Sequence, residues 1–301
     1  MARFFLRFLL IALCCLPPTL RAGTIALVQS EDNPAYREFS LTLGKALRGT
    51  NWRVIQIVNA GEQRPDPSAD LIVTAGSEAL RETLQYRPAQ ALLATLLPRA
   101  AYEEALQRAA HRPRTVSAIH LDQPFPRQAA FLRLLLPGRN NIGLLVTQQT
   151  RSQTGNLRQA LSQRNLRLDY ENVEQNEMLL PALEALLPRV DALLALPDSQ
   201  LFRRENIKPL LITAYRHQKP LVAFSAAFVK SGALAALYAT PEQIGRQTAA
   251  QILLNGTRLA SPSGPEEFTI SINYSVADAL GLRIQDETAL YRALADDGEG
   301  K

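Results

Sequence analysis

The chain has 301 residues, with 33 Lys and Arg against 28 Asp and Glu, a formal net charge of +5 and two cysteines. Arg3, Arg7 and Arg21 all precede residue 23, so the rest of the chain holds 30 basic and 28 acidic residues, a net charge of +2. This near balance excludes the strongly basic surface of a nucleic-acid-binding protein. The length allows one or two domains with sizeable cores.

The first 22 residues indicate export. A basic start is followed by an unbroken apolar run over 8–16, and Ala22 supplies the small residue at a cleavage site. The run is much shorter than the roughly 20 apolar residues of a membrane-spanning helix. A large residue precedes Cys14, which argues against a lipid anchor there. We therefore expect a signal peptide over 1–22 that takes Cys14 and Cys15 with it, and a soluble periplasmic protein.

From residue 23 onward, short apolar runs alternate with stretches of 3.6-residue spacing. Alternating strands and helices are typical of a parallel sheet covered on both faces. The expected strands of this first unit are 24–29, 52–58, 70–74, 91–97 and 115–121, and the helices between them are 36–47, 78–84 and 101–110.

The same alternation starts again after Asp122 and predicts a second unit of similar size. Its expected strands are 141–147, 167–173, 191–196, 220–224 and 233–238, and its helices are 128–136, 155–163, 179–187 and 206–218. Thr240 and Gln243 form a capping-box pattern around Pro241, so a helix begins there and runs to about residue 254. The pattern alone leaves open whether this helix stays in the second unit or returns to the first.

Catalytic signatures are missing from the sequence. It contains no nucleophile elbow, phosphate-binding loop, zinc-protease motif or dinucleotide fingerprint. The histidines His111, His120 and His217 have no motif partner, and a structural role is the favoured interpretation of each. No cluster has metal-ligand spacing. We expect a protein that is not an enzyme and holds neither metal nor cofactor.

Polar side chains follow the predicted strands of both units. Ligands of open parallel sheets bind beyond the carboxyl ends of strands, where helix N-termini offer free N–H groups. The candidate ligand-binding residues are Ser30, Ser77, Glu78, Arg99, Gln148, Arg151, Asp198, Ser225 and Phe228.

Four of these candidates also have an ordinary structural interpretation. Ser77 is equally suited to cap its helix, and Asp198 to close a turn. Arg151 is suited to a surface ion pair, which is commonly weak. Phe228 is suited to core packing.

The region 191–247 carries a resemblance to a known family. The segments 191–198, 219–225 and 229–238 resemble the substrate-binding components of ABC transporters. The group to which they are most similar is largely uncharacterised, and its few assigned members bind aromatic amino acids. The segment 268–273 matches the usual C-terminal strand of that family.

The resemblance implies the type I periplasmic-binding-protein fold, an α/β architecture of two Rossmann-like parallel-sheet lobes joined by three crossovers. Lobe one would comprise 23–121 and 239–258, lobe two 122–238 and 262–290, and 291–301 would be a disordered tail. One departure is Ser225, which stands where the family commonly has an aspartate.

The resemblance also implies a function. The chain would be the periplasmic solute-binding component of an ABC-type import system, a monomer that closes on a small ligand and meets an inner-membrane ABC permease, with no nucleic-acid partner. An amino acid is one candidate ligand. The alternative is a periplasmic adaptor or sensor subunit of the same fold that regulates a membrane or cell-wall partner.

Overall fold

The computed structural model describes residues 22–299, with the surroundings of side chains described for 22–297. Apart from Ala22, the expected signal peptide and its two cysteines lie outside the described residues. Within the described residues, no helix is long and apolar enough to cross a membrane.

Lobe one is built on a five-stranded parallel sheet in the order β2-β1-β3-β4-β5. Its strands are β1 (Gly23–Gln29), β2 (Trp52–Asn59), β3 (Leu71–Ala75), β4 (Ala91–Leu97) and β5 (Val116–His120). Its helices are α1 (Pro34–Ala46), α2 (Ser77–Gln85) and α3 (Arg99–Arg108). Because β3 and β4 are buried along their whole length, both faces of the sheet are covered.

Lobe two is built on a six-stranded sheet in the order β11-β10-β9-β8-β6-β7, in which only β11 runs antiparallel to its neighbour. Its strands are β6 (Asn141–Val146), β7 (Arg167–Asn172), β8 (Ala192–Leu194), β9 (Leu221–Ala223), β10 (Ala235–Tyr238) and β11 (Thr269–Ile272). The helices that follow lobe one in the chain are α4 (Phe125–Leu135), α5 (Thr154–Ser162), α6 (Leu179–Leu186), α7 (Arg204–Arg216), α8 (Ala226–Ser231), α9 (Pro241–Asn255), α10 (Tyr274–Ala279) and α11 (Glu287–Glu299). The expected two-lobed α/β fold is confirmed.

Helix α9 packs against α1, so it lies on lobe one although the strand before it belongs to lobe two. Its start has the predicted capping box: Gln243 N donates to Thr240 Oγ1 (3.2 Å) and Thr240 N donates to Gln243 Oε1 (2.8 Å). Three crossovers therefore join the lobes, after β5, before α9 and after α9.

The first and third crossovers run side by side. His120 N donates to Ser263 O (2.8 Å), and Ser263 N donates to Ala118 O (3.0 Å). At Gly264 a Cβ atom would lie 2.8 Å from the carbonyl oxygen of Asp122, closer than real contacts allow. Glycine at this position lets two backbones pass at close range.

The indole ring of Trp52 lies at the amino edge of lobe one's sheet. The ring covers Gly23: a Cβ atom at that position would lie 2.5 Å from a ring carbon. A Cβ atom at Gly256 would lie 3.4 Å from another carbon of the same ring. Gly23 and Trp52 pair as the first residues of the parallel strands β1 and β2. Trp52 therefore lies at the edge of the sheet opposite to the carboxyl ends of its strands.

The C-terminal segment differs from expectation. A disordered tail was expected over 291–301, but the chain is helical as far as Glu299. Leu290 and Leu294 are buried in the core of lobe two, and Arg164 pairs with Asp297 at 2.5 Å. The polar composition of this segment led to the expectation of disorder. Leu290 and Leu294 lie one helical turn apart, and their burial is enough to anchor the helix.

Candidate ligand-binding cleft

A cleft of about 760 Å³ opens between the lobes. Its walls come from helices α2 and α3 of lobe one and from the loops that follow β6 and β8 in lobe two. The lining residues are Ser77, Arg81, Leu84, Gln85, Arg87, Pro98, Ala100, Ala101, Glu104, Ala105, Arg108, Ala109, Ala110, Gln149, Pro197 and Ser199. None of these side chains is aromatic. Five of the lining residues are alanines and three are arginines.

A direct hydrogen bond crosses the cleft. Gln149 Nε2 of lobe two donates to Glu104 Oε2 of lobe one (2.9 Å). Ser199 Oγ donates to Gln149 Oε1 (3.2 Å), and Arg108 holds the other carboxylate oxygen of Glu104 at 2.7 Å. We call the Glu104–Gln149 contact the interlobe bridge. It connects helix α3 of lobe one to the loop after β6 in lobe two.

The N-terminus of α2 is capped by a side chain that is distant in the sequence. Ser30 Oγ, at the end of β1, accepts a hydrogen bond from Ala79 N (3.0 Å). Gly76 has φ +96°, and a Cβ there would lie 2.4 Å from Ser30 Oγ. The capping alternative for Ser77 is therefore wrong, because Ser77 is the first helical residue and its side chain makes no capping bond. Ser77 instead lines the cleft.

The other two lobe-one candidates lie outside the lining. Glu78 is half-buried and pairs with Arg81, which does line the cleft. Arg99 contributes its backbone, because Arg99 N donates to Asp122 Oδ2 (2.7 Å) at the start of α3. Asp122 thus ties the first crossover to a helix beside the cleft.

Asp198 is buried, and both carboxylate oxygens are used within lobe two. Oδ2 accepts hydrogen bonds from Thr147 Oγ1 (2.7 Å) and Thr150 Oγ1 (2.9 Å). Oδ1 accepts hydrogen bonds from the backbone N–H groups of Gln200 (2.9 Å) and Leu201 (3.1 Å). Four donors within its own lobe leave little capacity for a ligand ammonium group, and the arrangement favours the turn interpretation.

In the loop after β6, the residue that reaches the cleft is one that the sequence did not single out. Gln148 and Arg151 are both exposed and do not line the cleft, whereas Gln149 lines it and forms the interlobe bridge. The sequence correctly predicted that this polar loop lies beside the cleft. It did not indicate which of the loop's side chains points into the cleft.

Phe228 is buried and packs in an aromatic cluster with Phe202 and Phe224, with ring centroids 4.9–5.4 Å apart. This geometry favours the core-packing interpretation of Phe228. Ser225 stands at the N-cap position of α8 but makes no side-chain capping bond. Phe224 was not among the predicted site residues. It directly follows β9 and is a partly buried member of the cluster.

The end of β5 and the first crossover hold three buried side chains that each have an atom without a partner among the described residues: His120 Nδ1, Asp122 Oδ1 and Gln123 Nε2. Burial, with a smaller contribution from the Arg99 guanidinium, lowers the pKa of His120 to about 4. Burial raises the pKa of Asp122 to about 6, against the opposing effect of the hydrogen bond from Arg99 N. His120 also contacts the Tyr102 ring edge-on at 5.3 Å.

No group of three or more His, Cys, Asp or Glu residues in the described part of the chain is placed to hold a metal ion. What the arrangement offers is a cleft between two lobes, with polar and cationic groups in its lining.

Comparisons with known proteins agree with this geometry. A family model described as ABC transporter substrate binding protein matches residues 108–294. No curated protein matches the chain.

Among solved structures, the ligand-free, open structure of a substrate binding protein with adhesive properties from Clostridium difficile is 18% identical, with TM-score 0.64, covering 88% of this chain and 96% of that one. An ABC domain in complex with L-Trp from Streptococcus pneumonia is 15% identical, with TM-score 0.62 and coverage of 89% and 98%. A conserved domain protein from Vibrio cholerae is 17% identical, with TM-score 0.61 and coverage of 90% and 98%. At these identities the similarity shows the fold.

Proposed function

The chain belongs to the ABC transporter substrate binding protein family, and from that premise we propose that it is the periplasmic solute receptor of an ABC-type import system. In this proposal the mature protein is a monomer that closes on a small ligand and delivers it to an inner-membrane permease. The cleft lined by both lobes is the observation that carries the proposal.

The connection between the lobes supports a closing motion. Ligand contacts to both lobes, made only in the closed state, would shift the protein toward closure. The first and third crossovers run side by side, and this arrangement supports a hinge between the lobes. The similar L-Trp complex makes amino acids reasonable first candidates for a screen.

The experiment combines calorimetry and small-angle scattering on the mature protein with a panel of amino acids, sugars and organic acids. A true ligand at a hundredfold excess over its dissociation constant should add about 2.7 kcal/mol to the unfolding free energy. The radius of gyration should fall on binding. A tight binder that leaves the radius unchanged would contradict closure.

The adaptor or sensor alternative would be favoured by a different result. In that case no panel member binds, and the mature protein instead co-purifies with a membrane or cell-wall protein.

A further inference from the structure

Gln123 lies in the first crossover and is almost completely buried. Its Oε1 accepts a hydrogen bond from Arg127 Nη1 (2.8 Å), whereas its Nε2 has no partner among the described residues. A guanidinium only donates hydrogen bonds, so turning the amide would set donor against donor. Nε2 is therefore a hydrogen-bond donor of fixed direction that no described residue satisfies.

Gln123 lines a small chamber of about 10 Å³ at the carboxyl ends of β8 and β9. The other lining residues are Gln128, Phe131, Leu194, Ala195, Pro197, Val222, Ala223, Phe224 and Leu237. Pro197 also lines the large cleft. The chamber and the cleft therefore share Pro197 as a common wall.

A trapped water molecule does not explain the unsatisfied donor well. The chamber has about the smallest volume that holds one water, and a buried water needs two to four polar partners. Gln123 and Gln128 are the only polar side chains in its lining, and Gln128 Nε2 is already used as a donor to Gln123 O (2.8 Å). An acceptor atom on an apolar molecule would both satisfy Nε2 and fill the chamber.

Resting on the proposed function, we propose that Gln123 is a specificity-determining residue whose Nε2 donates to an acceptor oxygen at the inner end of the ligand. The ligand is an organic acid, with a carboxylate on an apolar body. An ammonium group at that end would place donor against donor. Arg81 and Arg108 are already paired with Glu78 and Glu104, whereas Arg87, which also lines the cleft, has no ion pair among the described residues and complements a negative ligand. The carboxylate of Asp198 is already occupied.

The test uses Gln123→Met with Gln153→Met as its matched control. Gln153 is also buried and has an unpartnered amide, but it lines neither the cleft nor the chamber. The probes are phenylacetate and hexanoate, with phenethylamine and hexylamine as their counterparts of opposite charge. Binding is measured by titration calorimetry, and stability by scanning calorimetry without probe.

We expect the carboxylates and not the amines to bind the parent protein. Gln123→Met should weaken carboxylate binding at least about tenfold, because the bond from Nε2 is lost. Gln153→Met should leave it unchanged. Without probe, Gln153→Met should not melt below the parent, because it removes an unsatisfied buried amide. Gln123→Met should melt close to the parent, because removal of the unsatisfied Nε2 offsets the lost hydrogen bond from Arg127, whose Nη1 still donates to Pro265 O.

Equal binding of carboxylates by the parent and Gln123→Met would overturn the inference and leave the proposed function standing. So would preferential binding of the amines, binding of other ligands but no carboxylate, or equal losses in both variants. A lower melting temperature for Gln123→Met alone would show that Gln123 serves only to hold Arg127, which also overturns it. Failure of the proposed function is separate, because in that case the parent protein binds no small molecule of the panel at all.

Discussion

The carboxylate of Asp198 accepts four hydrogen bonds, and every donor belongs to lobe two. It joins the loop after β6 to the turn after β8, both of which reach the cleft. A residue in this position affects ligand binding by shaping the loops, and it needs no direct contact with ligand.

Asp198→Asn should therefore lower stability by roughly 1.5–3 kcal/mol, since charge-assisted hydrogen bonds are lost. Scanning calorimetry measures this loss. Asp169→Asn is the control, because its exposed pair with Arg189 contributes about 0–1 kcal/mol. An unchanged melting temperature for Asp198→Asn would contradict a structural role.

His120 and Asp122 make opposite contributions to the pH dependence of stability. The pKa of Asp122 is raised from 3.8 to about 6, so its stabilising contribution is present below pH 3.8 and is lost as the pH rises through 6. The pKa of His120 is lowered from 6.5 to about 4, so its contribution is present above pH 6.5 and is lost as the pH falls through 4. The two effects nearly cancel in this window.

Single substitutions should reveal each contribution, on the order of 3 kcal/mol across the window. His120→Gln leaves Asp122 alone, and its stability should fall as the pH rises from 4 to 6.5. Asp122→Asn leaves His120 alone, and its stability should fall as the pH drops over the same range. Denaturant unfolding at several pH values checks both slopes, and parallel profiles for the two variants would contradict the assignment. Arg99 and Glu103 are the charged groups that act on Asp122 and stay in place.

At the scale of elements, the start of α9 does more than cap a helix. Gln243 Nε2 also donates to Phe268 O (3.1 Å), and Thr269 Oγ1 donates to Gln243 Oε1 (3.2 Å). Gln243 thereby connects the second crossover to the third, beside β11.

Thr240→Ala should cost about 1 kcal/mol through the lost cap. Gln243→Ala should cost more, roughly 2 kcal/mol, since it removes the capping box and the contact between crossovers together. Urea unfolding of the two variants compares the costs. Equal losses would mean that the contact to residues 268 and 269 contributes nothing.

Most elements could be predicted because local pattern and environment agree in them. The runs over 71–75 and 91–97 are apolar throughout, as strands covered on both faces must be. The failure at α11 has a physical cause, since its burial rests on Leu290 and Leu294 meeting a distant core. In β2 the sequence likewise gave no sign of the bulge near Ile55, which interrupts the register of an edge strand.

The candidate site was less predictable than the fold. Strand ends located the loops, but side-chain direction depends on contacts made across the molecule. Gln149 points to lobe one because Ser199 and Glu104 hold it there, while its neighbour Gln148 faces solvent. Gln123 was overlooked because its unsatisfied amide is visible only once the packing around it is known.

At the scale of the whole molecule, the interlobe bridge should bias the resting position of the lobes. Gln149→Ala removes the hydrogen bond to Glu104, so the unliganded protein should expand and show a larger radius of gyration by scattering. Gln148→Ala, which changes an exposed neighbour, is the control. An unchanged radius for both variants would show that the crossovers alone set the lobe angle.

Trp52 is the single tryptophan of the chain, and its ring is packed on Gly23 at the edge of lobe one remote from the cleft. Trp52 fluorescence should therefore stay unchanged when a ligand binds in the cleft. A constant emission during a titration does not show that the ligand fails to bind. The same fluorescence signal reports the unfolding of lobe one alone. If the melting curves from Trp52 emission and from calorimetry coincide, the two lobes unfold as one cooperative unit. If the curves differ, the lobes unfold separately, and the emission curve gives the melting temperature of lobe one.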